Sequence, residues 1–255
     1  MYAIQTFKKG IAMSKLTVVM PAAGKGSRLG LPYPKEIMHL EEGKALIDYS
    51  FDFFKNRTRE EVEFVVVINE HKTDIVKYLS KYKDRYKISF TFQDPAEQEY
   101  TGAIKSGYHL FGENNVVMLP DTLMRLKPGV DLYDRVMNNL KSKGFVFFYK
   151  QETNPLMLAT KGSLSVENGF VKAYEDKPKT DFGRFNAFWC SFAFTKTAFP
   201  LCMNFMEKST LREGFDPEEI KLTPIYNSLG IEVEDYIDLG TWSEVRRQVG
   251  ETRDK

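Results

Sequence analysis

Apolar runs long enough to form buried strands alternate with amphipathic stretches through the first half of the chain. The clearest run covers residues 62–68, VEFVVVI, with a single charged position. Short apolar runs between helical segments of about ten residues are typical of parallel βαβ units with helices on both faces of the sheet. The pattern predicts strands over 16–20, 62–68, 88–92 and 116–119, and helices over 45–54, 72–82, 101–111 and 131–140.

The pattern changes after residue 140, where short strand-like runs are separated by Gly, Asn and Pro turns. This spacing favours antiparallel or mixed pairing. It predicts strands over 145–149, 156–160, 164–166, 170–174, 188–194 and 231–236, and helices over 218–229 and 243–249. We therefore expect an α/β fold, a three-layer α/β/α sandwich with a mixed, mainly parallel central sheet and a small antiparallel subsheet in the second half.

A glycine-rich turn, AAGKGSR, follows the first predicted strand at positions 22–28. Small residues let backbone N–H groups approach an anion closely, because no side chain stands in the way. Arg28 and Lys35, seven residues apart, add two cations that could hold a polyphosphate. The segment is therefore predicted to bind a nucleoside triphosphate.

Three alternatives compete for this turn. A Walker A loop would need Ser or Thr after Gly24-Lys25 and a glycine five positions earlier, but Gly26 and Val19 stand there. A dinucleotide fingerprint fits Gly24 and Gly26, but its third glycine is replaced by Leu29, and no acidic residue closes a second strand about 20 residues on. A turn that binds no ligand is the third alternative, which the nearby cations make less favourable.

Composition narrows the function classes. The chain has 255 residues, 42% hydrophobic and 28% charged, and a formal net charge of +1. No general attraction to nucleic acid or membranes is implied, so anion binding must be local. The two cysteines form no C-x-x-C motif or Cys/His cluster, which argues against a disulfide framework or zinc site and favours a reducing, cytoplasmic location.

The chain is expected to hold one domain after a short extension. No apolar run approaches the roughly 18 residues that span a bilayer, and the first residues lack a signal-peptide pattern. Met13 directly precedes the first predicted strand. We therefore divide the chain into an N-terminal extension, 1–13, and a single domain, 14–255.

Two aspartates follow predicted strands at positions where open α/β sheets bind ligands. Asp121 comes after the strand at 116–119, and Asp238 after the last strand. Ligands in such sheets lie beyond the carboxyl ends of the strands. Mg²⁺ takes one or two carboxylates together with phosphate and water. An N-cap or turn role is the alternative for each aspartate alone, but beside a phosphate loop the pair predicts a Mg²⁺ site.

Three further residues are candidates for contacts with a ligand. Lys177 lies in the charged run YEDKPK at 174–179, which by itself is typical of a solvated turn. Gln93 follows the strand at 88–92, where its amide could bind a base edge. Gly102 opens the next helix, where the absence of a side chain allows close backbone approach.

Five short motifs occur in an order that resembles a known family. They are PAAG at 21–24, PKE at 34–36, LPD at 119–121, DKP at 176–178 and DLGT at 238–241. The chain resembles, from about residue 16 to 249, the nucleotidyltransferases that make nucleotide sugars from a sugar 1-phosphate and a nucleoside triphosphate. The first three motifs are most similar to bacterial UTP–glucose-1-phosphate uridylyltransferase. The last is closer to glucose-1-phosphate thymidylyltransferase.

This resemblance implies a Rossmann-like, glycosyltransferase-A-like form of the sandwich, and a role for each candidate residue. The acceptor phosphate would attack the α-phosphorus of UTP or dTTP in line, assisted by Mg²⁺, and pyrophosphate would leave. The implied catalytic residues are Arg28, Lys35 and Lys177, and the metal ligands are Asp121 and Asp238. The implied nucleotide-binding residues are Ala22, Ala23, Gly24, Gly26, Gln93 and Gly102, and the acceptor-binding residues are Asp176 and Asn186.

Other functions stay open. The short segment between Arg28 and Pro34 matches the compact cytidylyltransferases, which favours CTP with a non-glucose phosphate or phosphonate acceptor. By the same resemblance, Asp176 replaces the usual Glu, and FWC at 188–190 would make the acceptor pocket bulkier. A glycosyltransferase and a non-catalytic nucleotide sensor are further alternatives, although the former would hold its metal with an Asp-x-Asp that this sequence lacks. We expect a triphosphate and a phosphorylated small molecule as partners, without nucleic acid or membrane, and a homo-oligomer stays an option.

Overall fold

The computed structural model of the chain describes residues 15–97 and 99–253. The predicted extension, 1–13, lies outside the described residues. The strands are β1 Leu16–Pro21, β2 His39–Glu41, β3 Lys44–Ala45, β4 Val62–Ile68, β5 Lys87–Phe92, β6 Asn114–Val117, β7 Thr122–Leu126, β8 Phe145–Gln151, β9 Gly162–Glu167, β10 Phe170–Asp176, β11 Ala187–Thr195 and β12 Leu229–Asp238. The helices are α1 Asp48–Asp52, α2 Asp74–Leu79, α3 Glu99–Gly107, α4 Leu132–Lys143, α5 Pro155–Leu158, α6 Phe199–Leu211 and α7 Trp242–Arg253.

One large sheet runs through the molecule in the order β5-β4-β1-β6-β11-β8-β12-β10-β9, with β7 paired to β12. The first four strands of this order are parallel. β11 is antiparallel to β6 and β8, and β8 and β12 are again parallel. β9 and β10 form an antiparallel pair at the far edge. The predicted α/β sandwich, with a mixed sheet that is parallel through its core, is confirmed.

Helices cover both faces of the sheet, as the apolar pattern of the strands requires. Residues 16–20 of β1 are all fully buried, including Thr17, which is typical of a parallel strand covered on both sides. One apolar core packs α1, α2 and α4 against the sheet, and a second packs α3 and α6 against the other face. In the described part of the chain, no helix is long and apolar enough to cross a membrane.

The strand predicted over 156–160 is wrong, because this segment begins with the short helix α5. Asn154 Oδ1 accepts the backbone N–H of Leu156 at 3.0 Å, and Pro155 occupies the first turn. An Asn cap followed by Pro is a strong start for a helix. The local capping chemistry therefore outweighs the apolar run.

The helix predicted over 218–229 is also wrong. The structure has only a 3₁₀ turn at Ile220–Leu222, and β12 begins at Leu229. Pro224 lies inside the predicted helix, where it would remove a backbone hydrogen bond and clash with the preceding turn. The proline explains why the apolar periodicity of this segment does not produce a helix.

Three smaller differences concern the boundaries and number of elements. The helix predicted over 45–54 is reduced to α1, because Ala45 belongs to the β2–β3 hairpin and Asp48 Oδ2 accepts its backbone N–H at 2.9 Å. The sequence pattern predicted neither α6 nor β7. β7 is nevertheless important for the site, because its pairing with β12 brings Thr122 opposite Asp238.

Candidate active site

The glycine-rich turn leaves β1 at the carboxyl edge of the sheet. Ala22 and Ala23 are buried, whereas Gly24 is exposed and a side chain added there would meet no atom within 4 Å. Gly26 has a φ of 66°, a left-handed conformation that glycine adopts without strain. The turn thus begins with two buried alanines and has open space beside Gly24, which leaves room for a ligand.

The turn is fixed from two sides. Asn69, just after β4, donates from Nδ2 to the carbonyl of Ala23 at 2.6 Å. Trp242, at the start of α7, donates from Nε1 to the carbonyl of Leu29 at 2.9 Å. Leu29 itself packs in a small apolar cluster that includes Leu239. Strand, turn and final helix therefore form one unit around the predicted phosphate site.

Lys35 begins a 3₁₀ turn at Lys35–Ile37, and its Nζ donates a hydrogen bond to Asp121 Oδ2. Its aliphatic stem passes 3.8 Å from the position that a Cβ on Gly26 would occupy. Asp121 follows β6, and its backbone carbonyl accepts the N–H of Leu239 at 3.2 Å. Two residues 86 positions apart are thus joined directly in front of the glycine-rich turn.

A buried ion pair lies directly behind Lys35. Glu36 and Lys72 are only 2% and 4% exposed, and Lys72 Nζ lies 2.6 Å from Glu36 Oε1. Burial raises the pKa of Glu36 above its ordinary value, and Lys72 only partly opposes that rise. The pair holds the 3₁₀ turn against the segment after β4, and so fixes the direction in which Lys35 points.

Asp238 ends β12 beside the same turn. A Cβ placed on Gly240 would lie 2.9 Å from Arg28 Nη2 and 3.1 Å from Asp238 Oδ1, so both side chains approach one point next to this glycine. On its other side Asp238 contacts Lys161, whose Nζ is 3.5 Å from Oδ2. Arg28 and Lys161 therefore approach the carboxylate from different elements of the fold.

The two aspartates fit the ligand set of a magnesium ion. Asp238 ends β12 and pairs with Thr122 of β7, and Asp121 is the residue just before Thr122. Two carboxylates with phosphate oxygens and water match the hard, oxygen-based coordination of Mg²⁺. No cluster of three or more His, Cys, Asp or Glu residues suited to a metal occurs among the described residues. Phosphate oxygens and water would have to complete the coordination.

Asp176 and Lys177 occupy the end of β10. Asp176 is 4% exposed, and burial raises its pKa above the ordinary value of 3.8, although Lys177 Nζ at 3.3 Å from Oδ2 opposes the rise. Lys177 adopts a φ of 51°, which is uncommon for a residue with a side chain. It lines an open cleft of about 540 Å³ together with Lys179 and Arg212. Its lining has mixed charge, because Arg184, Glu175, Glu213 and Asp216 also belong to it.

The other predicted ligand residues are engaged with the backbone. Gln93 donates from Nε2 to the carbonyls of Glu97 at 2.7 Å and Glu99 at 3.1 Å. A Cβ on Gly102 would lie 2.7 Å from the carbonyl carbon of Glu97, so this glycine allows the same loop to pack. Asn186 bonds both the N–H and the carbonyl of Val166 at 2.8 Å. Ligand roles for these three residues stay predictions.

The structure therefore brings together the glycine-rich turn, Arg28, Lys35, Asp121 and Asp238, with Lys177 at the end of β10. Lys161 and Trp242 reach this region although no motif pointed to them. Lys161 could have been found by pairing the predicted strands at 164–166 and 170–174 as an antiparallel hairpin. Such a hairpin places the residues before the first strand beside those after the second. No sequence signal connects Trp242 to the carbonyl that it contacts.

Structures with the same fold exist for proteins of low sequence identity. A UDP-glucose pyrophosphorylase complexed with UDP-glucose aligns with a TM-score of 0.71 at 16% identity, covering 95% of this chain and 99% of that one. A UTP-bound UGPase from Acinetobacter baumannii aligns with a TM-score of 0.68 at 15% identity, covering 94% and 93%. A candidate glucose-1-phosphate thymidylyltransferase from Bacillus anthracis gives 0.69 at 17% identity, covering 94% and 96%.

This chain has the fold of those nucleotidyltransferases. The alignments cover nearly the whole of each protein, so the likeness includes the second, antiparallel half as well as the parallel core. No protein-family model matches the sequence. At this level of identity the likeness concerns the fold, and the activity has to be argued from the residues of the site.

Proposed function

We propose that this chain is a sugar-phosphate nucleotidyltransferase, which joins a nucleoside triphosphate to a sugar 1-phosphate and releases pyrophosphate. The observation that carries the proposal is that two cations and two carboxylates lie beside the glycine-rich turn. Lys35 contacts Asp121, and Arg28 and Asp238 approach one point next to Gly240. The structures of similar fold support it, since their proteins bind UTP or UDP-glucose.

In the proposed reaction an oxygen of the acceptor phosphate attacks the α-phosphorus of the triphosphate. A new phosphorus–oxygen bond forms, the bond between the α-phosphorus and the bridging oxygen breaks, and pyrophosphate leaves. The nucleophile is already an anion at neutral pH, so the reaction needs no general base. The residues of the chain align the two substrates and neutralise charge that increases in the transition state.

Each charged residue has a proposed role in this step. Arg28 and Lys35 hold the triphosphate, and Lys177 holds the acceptor phosphate. Asp121 and Asp238 would hold Mg²⁺, which when bound supplies Lewis-acid neutralisation of phosphate oxygens. The buried position of Asp176 suits hydrogen bonds to the hydroxyl groups of an acceptor, as the resemblance of its motif implies.

We favour UTP or dTTP as the nucleotide. Gln93 uses its Nε2 for two backbone carbonyls, so its remaining polar atom is the acceptor Oε1. An acceptor is suited to the N3–H of uracil or thymine, whereas N3 of cytosine is itself an acceptor. The short segment between Arg28 and Pro34 keeps CTP as the second candidate.

A pyrophosphate-release screen tests the proposal. Five triphosphates (UTP, dTTP, CTP, ATP and GTP) are combined with hexose 1-phosphates, polyol phosphates and phosphonates in the presence of Mg²⁺. We expect the fastest release with UTP or dTTP and a hexose 1-phosphate. Release only with CTP and a non-sugar acceptor would establish the cytidylyltransferase alternative, and transfer of sugar from a nucleotide sugar without pyrophosphate release would establish a glycosyltransferase.

Variants of the central pair distinguish catalysis from simple nucleotide binding. Lys35→Ala should slow pyrophosphate release about a hundredfold, because it removes a cation that neutralises the reacting phosphates. Asp121→Asn should slow it about a thousandfold, because it removes one of the two carboxylates proposed to hold Mg²⁺. Lys87→Ala is the matched control: this lysine contacts Glu63 at 3.0 Å at the outer strand β5. If all three variants retain the wild-type rate, the assigned site is wrong.

A further inference from the structure

Each of the two aspartates proposed as magnesium ligands contacts a lysine. Asp121 contacts Lys35, which the motif at 34–36 already identifies. Asp238 contacts Lys161, at 3.5 Å between Oδ2 and Nζ, and no motif includes this lysine. Lys161 is therefore a cation of the candidate site that the proposed function has not yet used.

The position of Lys161 is fixed by the sheet. Its carbonyl accepts the backbone N–H of Lys177 at 2.9 Å. The next residue, Gly162, pairs with Asp176 in the ladder between β9 and β10. Lys161 therefore directly precedes β9 and Lys177 directly follows β10, so the two lysines are neighbours through the backbone.

The contact between Lys161 and Asp238 is loose. At 3.5 Å it lies at the upper limit of a hydrogen bond, and an ammonium group has three donors. Its other contact among the described residues is the ring of Tyr236, whose centroid is 6.0 Å away. The lysine side chain is 22% exposed, so its charge is partly withdrawn from water, where attraction to an anion is stronger than at an open surface.

We propose that Lys161 binds the phosphate of the acceptor together with Lys177. The inference rests on the proposed function and deepens it: the acceptor is a phosphate monoester dianion held between two lysines from adjacent strands. The alternative is that Lys161 serves only as a counter-ion for Asp238. The two roles differ in which measurement responds to removal of the lysine.

The test compares Lys161→Met with Lys150→Met and Lys161→Arg. Lys150 is the matched control. Its Nζ donates to Asp235, which lies on β12 as Asp238 does, at 2.5 Å, and Lys150 lies outside the candidate site. In steady-state assays we expect Lys161→Met to raise KM for the acceptor phosphate about 30-fold, with KM for the triphosphate changed less than twofold. Lys161→Arg should recover most of the loss, since it keeps the positive charge.

Binding of inorganic phosphate, measured by calorimetry, supplies a readout independent of turnover. Lys161→Met should weaken this binding about tenfold, and Lys150→Met should leave it unchanged. Equal phosphate affinity in wild type and Lys161→Met would overturn the inference, as would equal weakening in both Met variants. If wild type releases no pyrophosphate in the screen, the proposed function fails, but the phosphate titration still decides whether Lys161 binds an anion. Thermal unfolding of each variant verifies that it is folded.

Discussion

Two aspartates three residues apart on β12 have very different surroundings. Asp235 accepts a hydrogen bond from Lys150 Nζ at 2.5 Å and one from the backbone N–H of Tyr236 at 2.9 Å, and Arg125 lies 3.6 Å away. Asp238 has the 3.5 Å contact with Lys161. The two carboxylates are equally exposed, at 31% and 34%, so burial does not explain the difference.

The difference separates a structural ion pair from one that can exchange partners. Asp235 has two short contacts on Oδ1, and a ligand to that oxygen would have to break them. Asp238 lies at the end of the strand, next to the glycine of the DLGT motif and the guanidinium of Arg28. Ligands of open α/β sheets bind beyond the carboxyl ends of the strands, and Asp238 lies at such an end.

The largest expected effect concerns these two aspartates directly. Asp238→Asn should lower the rate of pyrophosphate release about a thousandfold, because it removes half of the proposed metal-binding carboxylates. Asp235→Asn should change the rate less than threefold. Steady-state assays at saturating substrates measure both. Comparable losses in the two variants would show that the position on the strand does not separate their roles.

The ion pair between Glu36 and Lys72, behind Lys35, is almost fully buried. Lys72→Met should lower the free energy of unfolding by about 3 kcal/mol, because it leaves the carboxylate of Glu36 buried without its cation. The double variant with Glu36→Gln should recover most of that loss. Urea unfolding measures each value.

Lys81→Met is the matched control for Lys72→Met. Lys81 contacts the buried Asp48 at 2.8 Å, but this carboxylate also accepts hydrogen bonds from the hydroxyls of Tyr78 and Tyr82. We expect a loss of only about 1 kcal/mol, since three donors remain, the two hydroxyls and the backbone N–H of Ala45. A loss as large as that of Lys72→Met would mean that the number of remaining partners does not determine the cost.

Sequence patterns predicted the parallel half of the fold well, because its strands are buried on both faces. Val62–Ile68 was predicted with its exact bounds as observed. Errors fell where one local contact outweighs periodicity, as with the Asn154 cap and Pro224. The tertiary contacts of the site, such as Lys35 with Asp121, followed only from the general rule that ligands bind at strand ends. The positions of Lys161 and Trp242 could not be predicted without the pairing of the strands.

A smaller effect is expected at the glycine-rich turn. Trp242→Phe removes the hydrogen bond to the carbonyl of Leu29 but keeps most of the aromatic volume. We expect the free energy of unfolding to fall by about 1 kcal/mol, and KM for the triphosphate to rise while KM for the acceptor is unchanged. An equal rise in both KM values would contradict the assignment of this turn to the triphosphate.

The smallest expected effect is the pH dependence of the ion pair between Asp235 and Lys150. Burial opposes ionisation of Asp235, but contacts with Lys150, the Tyr236 N–H and Arg125 outweigh it and lower the pKa below 3.8. The stabilisation is therefore present above pH 3.8 and is lost as the pH falls through the lower folded pKa. Relative to Asp235→Asn, wild type should be more stable by about 0.5 kcal/mol at pH 7. Urea unfolding at several pH values should show this difference disappearing in acid.

The hydrogen bond between Trp242 and Leu29 joins residues 213 positions apart, which has a consequence for synthesis. Chains emerge from the ribosome from the N-terminus, and early segments begin to fold first. The glycine-rich turn is among the first parts of the domain to appear, but its anchors on Leu239 and Trp242 are among the last. The proposed nucleotide site is therefore completed only after Trp242 has been made, so a nascent chain that ends earlier lacks both anchors of the glycine-rich turn.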